Sequence, residues 1–394
     1  PMNSSAASDV YKRQDENVYG FARSFQEDFE NPNLLFLGTE FGLYVSIDGG
    51  SNWMKFENNM PSTAVHYIEM QAQTNDLVMG THGRGIIIID DVAPLRQITD
   101  KVIGEEVHFM EMPTFYMNEE STFGGTSGET QFVGENPSTG ARIAYYMAKR
   151  HTFGKMRMKV LDKDGNYVAS LSPRKKKGLN FVDWNFNGTA PKVAGGKTFS
   201  RGGMFAPRVP AGTYTVVIEK GKKTFQTTID VAYPKKSVFT LAERKRQEET
   251  TKELFNMNEE LAYLVYELET WAKHAQMQTK AQPKLAKTGG KLVTIMEGLR
   301  KDLVITTGDN YVGRAENQLR EDLGDIYSTI GGNFGPPTVS QMEGVELIKE
   351  RMQEARDRMS EIRSKELKKY QAQLDKLEIK HPKLKDFKEF VKKD

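Results

Sequence analysis

The segment from Ser46 to Trp53, with the sequence SIDGGSNW, most constrains what this chain can fold into. It fits the pattern Ser-x-Asp-x-Gly-x-x-Trp, known as the Asp-box, and a strand-like run lies on each side of it. Asp48 and the glycines after it tolerate the left-handed backbone angles that a tight hairpin needs. The Trp53 ring supplies an apolar surface that can pack beneath the turn. We therefore assign Ser46, Asp48, Gly50 and Trp53 a structural role in this hairpin.

The strand pattern around the Asp-box occurs twice in the chain. Residues 33–38 (NLLFLG) match residues 76–80 (DLVMG), and the neighbouring strands match in the same order. Four strands are predicted in the first copy but three in the second, which ends at residues 90–94 without an Asp-box. The offset of about 42 residues is in the range of β-propeller repeats. We predict that residues 17–94 are the last blades of a propeller whose earlier blades precede this chain.

A second β-rich zone covers residues 101–234, where short predicted strands alternate with turn residues. Residues 162–166 (DKDGN) are predicted to form a hairpin turn rather than a calcium loop, because they lack the full ligand set and the closing glutamate. Trp184 and Phe186 lie in a strand and are interpreted as core residues rather than as a sugar-binding platform. Antiparallel strands at this spacing predict an immunoglobulin-like β-sandwich, with residues 195–203 as an exposed loop.

From residue 238 to residue 394 the apolar residues follow helical spacing instead. Residues 240–243 (TLAE) and residues 340–343 (SQME) both fit the capping-box pattern of a helix start. Apolar residues recur at helical steps in four stretches, and the last stripe slips by one residue at residues 363–366. Four amphipathic helices with short links predict an antiparallel bundle. The whole chain is thus predicted to be a multi-domain protein, mainly β plus α.

Composition and charge exclude several classes of ligand. The formal net charge is only +2, which does not favour nucleic acid as a partner. The chain has no cysteine and its 6 histidines are scattered, so we predict neither a metal site nor a cofactor. No apolar run is long enough to span a membrane.

Two further segments lie outside these motifs. Residues 1–16 have neither the apolar core nor the cleavage pattern of a signal peptide. We interpret them as an artefact or a disordered tail, with the true start of the protein lying upstream. The basic run at residues 174–177 (RKKK) can attract polyanions, whereas the lysines of residues 365–393 alternate with acidic residues and indicate a solvated helix face.

The candidate ligand-binding side chains lie in the turns between the second and third strand of each repeat. Glu40 occupies this turn in the first copy, where it faces either a binding surface or solvent. His82 and Arg84 occupy a glycine-flanked loop in the second copy, where Arg can bind a carboxylate or phosphate and His can exchange protons near neutral pH. The alternative is a loop that packs against a neighbouring domain. Residues 90–91 are interpreted as an exit turn, and we predict no catalytic residue.

Residues 34–43, the Asp-box and residues 75–86 (NDLVMGTHGRGI) carry a resemblance to a known family. Together they resemble the C-terminal part of bacterial sortilin-like proteins with neuraminidase-type repeats. Residues 134–137 and 209–214 are similar to the sandwich that follows such propellers. The resemblance implies an exported bacterial protein, whether periplasmic, cell-surface or secreted, in a family often labelled as glycosyl hydrolases. The cysteine-rich modules of the eukaryotic sortilin receptors have no counterpart in this sequence.

Every strong motif in this chain is architectural, which favours a non-catalytic function. We expect the C-terminal region of an exported propeller protein, which closes the propeller and serves binding and assembly. Its partners are then the upstream blades of the same protein and a glycan or a peptide. One alternative is part of a glycoside hydrolase whose active site lies mainly in upstream blades. Another is a protein-binding module that acts through the helical bundle.

Overall fold

The structure is a computed structural model that describes residues 18–119, 139–306 and 317–392. These residues form a mixed fold of several antiparallel sheets, one of them curled into a half-barrel, followed by C-terminal helices. The predicted order, with β-rich zones before a helical zone, is therefore present. The predicted tail at residues 1–16 and the segment at residues 134–137 lie outside the described residues.

The strands of the described residues fall into four sheets. In chain order they are β1 (Ala22–Glu27), β2 (Leu35–Thr39), β3 (Gly42–Ser46), β4 (Met54–Lys55), β5 (Val65–Gln71), β6 (Asp76–Thr81), β7 (Ile86–Ile89), β8 (Val107–Phe109), β9 (Phe115–Tyr116), β10 (Ala141–Met147), β11 (Met156–Leu161), β12 (Tyr167–Leu171), β13 (Gly178–Trp184), β14 (Gly212–Lys220) and β15 (Lys223–Ala232). The sheet orders are β1-β2-β3-β4, β5-β6-β7, β13-β10-β8 and β12-β11-β14-β15-β9. Strand pairing is antiparallel except between β15 and β9.

The helices of the described residues lie mostly in the C-terminal part. In chain order they are α1 (Asp100–Gly104), α2 (Leu241–Ala281), α3 (Ala286–Leu303), α4 (Leu319–Gly331), α5 (Val339–Ile362), α6 (Lys368–Lys376) and α7 (Phe387–Val391). Short 3-10 helices cover Ala93–Gln97, Arg201–Gly203 and Pro283–Leu285, and a π-helical turn covers Arg363–Leu367. Helices α2 to α6 share one large apolar core, which also receives α7.

The first two sheets pack against each other around a shared apolar core. Phe36 of the first sheet and Ile68 and Met79 of the second belong to this core. The Ser24 hydroxyl on β1 donates a 3.0 Å hydrogen bond to the carbonyl oxygen of Val65 on β5, so the first strands of the two copies are neighbours. The four and three strands predicted from the repeat are therefore present, although β4 is reduced to a two-residue strand.

Arg96, in the 3-10 helix that follows β7, links the sheets β1-β2-β3-β4 and β5-β6-β7, which we call the small sheets. Its Nε lies 2.9 Å from the carboxylate of Asp28, which follows β1, and its Nη1 lies 2.8 Å from Glu30. Its Nη2 donates a 2.8 Å hydrogen bond to the side chain of Asn75, in the turn between β5 and β6. Because Asp28 is buried, this charge-assisted contact fixes where the chain leaves the second sheet.

The sheet β13-β10-β8 and the sheet β12-β11-β14-β15-β9, which we call the central sheets, bury their facing sides against each other. Ile143 on β10 and Val216 on β14 are fully buried in the core between them. Trp184 is only 2% exposed, and its ring packs edge-on against Tyr214 with the ring centroids 5.2 Å apart. Phe186 joins the same core, so the prediction that the two aromatic residues are core residues is confirmed.

The hairpin predicted at residues 162–166 connects β11 and β12. The Asp162 carboxylate accepts hydrogen bonds from the backbone amides of Asp164 at 2.9 Å and Asn166 at 2.8 Å. Gly165 has a φ of +79°, which suits a glycine in a tight turn. Because the carboxylate of Asp162 is hydrogen-bonded within its own turn, the hairpin interpretation is confirmed.

One of the two predicted capping boxes is misplaced. Thr240 caps α2 as predicted, with reciprocal hydrogen bonds to Glu243. The cap of α5 is Thr338 with Gln341, so the prediction of a box beginning at Ser340 was wrong. The segments at residues 338–341 and 340–343 both fit the capping-box pattern. Thr338 is the first residue after the prolines at residues 336–337, and the helix begins directly after it.

The predicted one-residue slip in the last apolar stripe corresponds to the π-helical turn Arg363–Leu367. Ile362 before the turn and Leu367 within it are both buried in the helical core. A π-helical turn closes one residue later than an α-helical turn and so adds one residue to the repeat. The stripe therefore stays on the core side of the helix across the slip.

The loop predicted at residues 195–203 is mostly exposed, as expected, but it is also attached to the helices through its backbone. It belongs to the segment between β13 and β14 at residues 188–207, which we call the strap. The Lys197 amide donates a 2.9 Å hydrogen bond to the carbonyl oxygen of Ile305, just after α3. Glycine and lysine suit both an exposed loop and a segment whose backbone is hydrogen-bonded to a neighbour, and for this reason the sequence did not predict the attachment.

Buried polar groups hold the middle of the strap on α4. The Thr198 hydroxyl donates a 2.8 Å hydrogen bond to Glu321, and the Arg320 guanidinium donates to the carbonyl oxygen of Thr198. Arg320 is 3% exposed and Glu321 is 7% exposed, and the two side chains form an ion pair at 3.2 Å. Buried charges of this kind are stable only when paired and hydrogen-bonded. The strap therefore stabilises both side chains by supplying hydrogen-bond partners in place of water.

Glycines allow the strap to approach α4 closely. A Cβ atom on Gly202 of the strap would lie 3.0 Å from the Cα atom of Gly324 on α4. A Cβ atom on Gly331 would lie 2.5 Å from the ring of Phe205, another strap residue. That ring packs edge-on against Tyr327, with the ring centroids 5.3 Å apart.

We expect Gly331→Ala to lower the free energy of unfolding by about 1–3 kcal/mol, because the added methyl group overlaps the Phe205 ring. The matched control is Gly298→Ala in α3, where an added Cβ atom meets nothing within 4 Å. The control should raise the free energy of unfolding by about 0.5–1 kcal/mol, since alanine favours helix. Urea denaturation followed by circular dichroism measures both values. Equal effects of the two substitutions would contradict this packing.

Candidate functional site

The two turns that carry the predicted site residues lie side by side at one end of the small sheets. The linker at residues 57–64, which connects β4 to β5, contacts both of them. The Ser62 hydroxyl donates a 3.3 Å hydrogen bond to the carbonyl oxygen of Phe41. The Thr63 hydroxyl donates a 2.9 Å hydrogen bond to the carbonyl oxygen of His82. The structure thus brings the predicted residues of both copies to the same end.

The three predicted binding side chains differ in how far they are already paired. Glu40 forms a 2.5 Å ion pair with Arg23 on β1. The His82 ring lies 5.8 Å from the His66 ring, measured between centroids. Arg84 is exposed and forms no ion pair with another described residue. Arg84 is therefore a cation available to an anionic group at this end.

The Asp-box forms a turn closed by its own polar side chains. The Ser46 hydroxyl donates to the Asp48 carboxylate at 2.8 Å and accepts from the Gly50 amide at 2.9 Å. The Asn52 amide donates to the same carboxylate at 2.9 Å. Burial alone would raise the pKa of Asp48, but hydrogen bonds from Asn52 and Ser46 lower the pKa below its usual value. Trp53 is buried beneath the turn, so these groups stabilise the hairpin.

The exit turn predicted at residues 90–91 follows β7. The Asp91 amide donates a 3.0 Å hydrogen bond to the Asp76 carboxylate, and the Asp91 carboxylate accepts a 3.2 Å hydrogen bond from the Ala93 amide. Burial raises the pKa of Asp91 above its usual value. The position of Asp91 at the start of the 3-10 helix agrees with the interpretation as a turn.

A cleft that the sequence analysis did not predict lies between the curved β-rich part and the helices. Its volume is about 360 Å³, which is in the range of small-molecule sites. The strands, the end of the strap, α2 and the end of α4 all contribute to its walls. The lining includes Met117, Tyr167, Val168, Pro207, Arg208, Tyr233, Arg244, Glu248, Thr251, Phe255 and Phe334.

A hydrogen-bonded pair with perturbed acidity lies in the wall of this cleft. The Tyr233 hydroxyl donates a 2.5 Å hydrogen bond to the Glu248 carboxylate. Burial raises the pKa of Glu248, and burial together with this hydrogen bond raises the pKa of Tyr233 to about 12. Arg244 is buried beside Glu119 and lies 4.5 Å above the Tyr233 ring. The pair is thus held by its surroundings in one geometry.

Arg208, the residue directly after the strap, also lines this cleft. Its guanidinium carbon lies 3.8 Å from the centroid of the Phe334 ring, in a cation–π contact. It forms no ion pair with another residue in the described ranges. Partial burial lowers the pKa of Arg208 from its usual value, although the side chain stays charged at neutral pH.

Sequence reasoning missed this cleft because its residues come from distant parts of the chain. Arg208 precedes α2 in the chain and Phe334 follows it, and Tyr233 meets Glu248 only because the chain turns back from β15 into α2. No spacing in the sequence links these residues. The one local signal is the pair of Tyr233 and Glu248 on either side of the β-to-α boundary.

The residues that the structure describes include neither a metal-binding cluster nor a membrane-spanning helix. No group of three or more histidine, aspartate or glutamate side chains is placed to hold a metal ion there. Among the helices of the described ranges, none is both long and apolar enough to cross a membrane.

Comparison of the chain with protein-family models, with curated proteins and with solved structures found no match in any of the three. The residues of this chain and their arrangement are therefore the basis for assigning a function.

We expect Glu248→Gln to remove a pH dependence of stability. Because burial raises the pKa of Glu248 in the folded state, the free energy of unfolding falls as the pH rises from the ordinary value of 4.5 through the folded value. The free energy of unfolding of the Gln variant, minus that of the wild type, should therefore increase as the pH rises above 4.5. Urea denaturation at several pH values measures it. Glu354→Gln, at an exposed side chain on α5, is the control and should show no such growth.

Proposed function

We propose that this chain is the non-catalytic C-terminal region of an exported bacterial propeller protein of the sortilin-like type. In this proposal residues 17–94 are the closing blades of the propeller, and the rest serves binding and assembly. The packing of two similar antiparallel sheets, one repeat apart in the sequence, supports it. The partners are the upstream blades and a glycan or peptide bound at the turns that carry Arg84.

The outer face of the second sheet is the observation that carries this proposal. Ile86 is 73% exposed and Ile88 is 55% exposed on β7, and Tyr67 on β5 is 58% exposed. Large apolar side chains on one face of a sheet normally pack against another layer. The inner face of the same sheet already packs on a sheet of the preceding repeat. A further blade, packed in the same manner, is the cover that this face fits.

The proposal assigns the remaining parts a supporting role. The central sheets, packed across the core that holds Trp184, suit an immunoglobulin-like sandwich. Helices α2 to α6, with their common apolar core, suit an antiparallel bundle. The strap joins the sandwich to the bundle, so the two would act as one support for the propeller.

The turns at residues 40–41 and 82–85 favour binding over hydrolysis. They supply a single carboxylate, Glu40, and this carboxylate is already ion-paired with Arg23. Glycoside hydrolysis normally requires two opposed carboxyl groups at a defined separation. A cation in a glycine-flanked loop, such as Arg84, is suited to holding an anionic group.

A cysteine probe tests whether the outer face of the second sheet is covered. Because the chain contains no cysteine, Ile86→Cys gives a single reactive thiol on this face. We expect the thiol to react rapidly in the 394-residue chain and to be protected in the complete protein with its upstream blades. The rate of labelling by a water-soluble maleimide measures the difference.

The control for this probe is Ala72→Cys, in the exposed turn between β5 and β6. Its labelling rate should be the same in both proteins, because the turn lies away from the apolar face. If the cysteine at position 86 reacted as rapidly in the complete protein as in the shorter chain, the proposed blade contact would be wrong.

Joint substitution of Glu40, His82 and Arg84 by alanine tests the non-catalytic assignment. We expect any glycan turnover by the complete protein to stay unchanged, because none of these side chains touches the reacting bond in the proposal. Reducing-sugar release from a panel of glycans measures turnover. A loss of about 100-fold or more, typical of removing a catalytic acid or base, would favour the hydrolase alternative instead.

A further inference from the structure

Three loops meet at one end of the central sheets. The His151 amide in the β10–β11 loop donates a 3.0 Å hydrogen bond to the carbonyl oxygen of Lys175 in the β12–β13 loop. The Gly221 amide in the β14–β15 turn donates a 3.4 Å hydrogen bond to the carbonyl oxygen of Lys155. The loops therefore form one continuous surface. We call this surface the basic end, and it comprises residues 148–155, 172–177 and 221–222.

Cationic side chains dominate the basic end. The run at residues 174–177 (RKKK) is exposed throughout, and Lys149, Arg150 and Lys155 are exposed in the loop beside it. Lys222 adds a charge from the third loop. None of these side chains forms an ion pair with another described residue. The run alone carries more charge than the net +2 of the chain, so the rest of the chain is acidic on balance.

The carboxylates close to this end are already paired. Glu106 lies between Lys220 at 2.8 Å and Lys223 at 2.5 Å. Hydrogen bonds from these two lysines lower the pKa of Glu106 to about 2. Glu105 lies 2.9 Å from the ring of His108. These pairs leave the charges of the basic end without a counter-charge among the residues that the structure describes.

Buried side chains fix the backbone of the basic run. Asn180, which is 2% exposed, accepts a 3.2 Å hydrogen bond from the Lys176 amide and donates one of 2.8 Å to the Lys176 carbonyl oxygen. The hydroxyl of the buried Tyr145 donates to the carbonyl oxygen of Arg174. Two core residues thus hold the run in place while its cationic side chains stay in solvent.

An aromatic ring protrudes from the same surface. Phe153 is 89% exposed in the β10–β11 loop. Gly154 follows it with a φ of +90°, and its carbonyl oxygen lies 3.2 Å from the Nε2 of His151, which closes the turn. A phenyl ring in water loses the free energy that burial would provide. The position of this ring among lysines and arginines therefore indicates a partner that offers both negative charge and an apolar environment.

We propose that the basic end docks on a bilayer surface that carries anionic phospholipid. The lysine and arginine side chains contact the phosphates of the headgroups, as polybasic segments do on negatively charged leaflets. The Phe153 ring enters the interface between headgroups and acyl chains, where aromatic rings are favoured. This binding is peripheral, since no part of the surface is a spanning element.

The ring of Phe153 is the reason to favour a bilayer over a dissolved polyanion. An acidic polysaccharide can neutralise the cations, but it leaves the phenyl ring in water. A bilayer satisfies both groups at once, because its anionic headgroups lie directly above an apolar layer. The basic end is independent of the proposed propeller, because its loops belong to the central sheets.

Sedimentation with vesicles of phosphatidylcholine, with and without phosphatidylglycerol, tests this proposal on the full chain. We expect binding only to the vesicles that contain phosphatidylglycerol, and weaker binding at high salt. Lys175→Glu together with Lys177→Glu should weaken binding by at least about thirtyfold. Phe153→Ala should weaken it severalfold while the thermal midpoint stays unchanged.

Matched controls separate the surface from general charge and hydrophobicity. Lys368→Glu with Lys369→Glu on α6 makes the same charge change, and Phe199→Ala removes another exposed ring, 66% exposed on the strap. Both controls should bind as the wild type does. Equal losses in the control variants, or no binding to any vesicle, would overturn the proposal. Binding to dextran sulfate that Phe153→Ala leaves unchanged, without vesicle binding, would identify a dissolved polyanion instead.

Discussion

The attachment of the strap to α4 and the end of α3 is the interaction on which the rest of the structure depends. The strap has no regular secondary structure apart from one 3-10 turn, and ordering such a segment costs conformational entropy. Buried hydrogen bonds around Arg320 and the close approach of Gly202 to Gly324 offset this cost. These contacts add to the Tyr233–Glu248 hydrogen bond and the Arg244–Glu119 ion pair, which also link the β-rich part to the helices. With them, the two parts enclose a cleft and hold the C-terminal segment through Lys192, which donates to the carbonyl oxygen of Phe390.

The central sheets thereby connect the helices with the small sheets. One side receives the helices through the strap, and Gln97, near the small sheets, exchanges hydrogen bonds with the backbone of Glu111, just after β8. The basic end has none of these attachments, and its charges point to solvent. Under the two proposals, the small sheets, the helices and the basic end each have a separate role. The small sheets serve assembly, the helices serve support and the basic end serves docking.

Much of the fold could be predicted from local pattern. The Asp-box, the repeated strands and the apolar stripes of the helices depend on residues that are close in the sequence. Even the π-helical turn is indicated by a one-residue shift in the last apolar stripe. The attachment of the strap could not be predicted, because Thr198 meets Glu321 across more than a hundred residues and glycine suits either environment. The cleft was missed for the same reason. Of the predicted site residues, the sequence located the turns, but only the structure shows that Glu40 is paired with Arg23.

The central claim is that the strap makes the sheets and helices one cooperative unit. Native-state hydrogen exchange at the Lys197 amide, which donates to the Ile305 carbonyl oxygen, tests it most directly. The account predicts that this amide exchanges with the same opening free energy as core amides of α2 near Leu261. Exchange as rapid as that of an exposed hairpin, while α2 stays protected, would contradict the claim and leave the strap a surface loop.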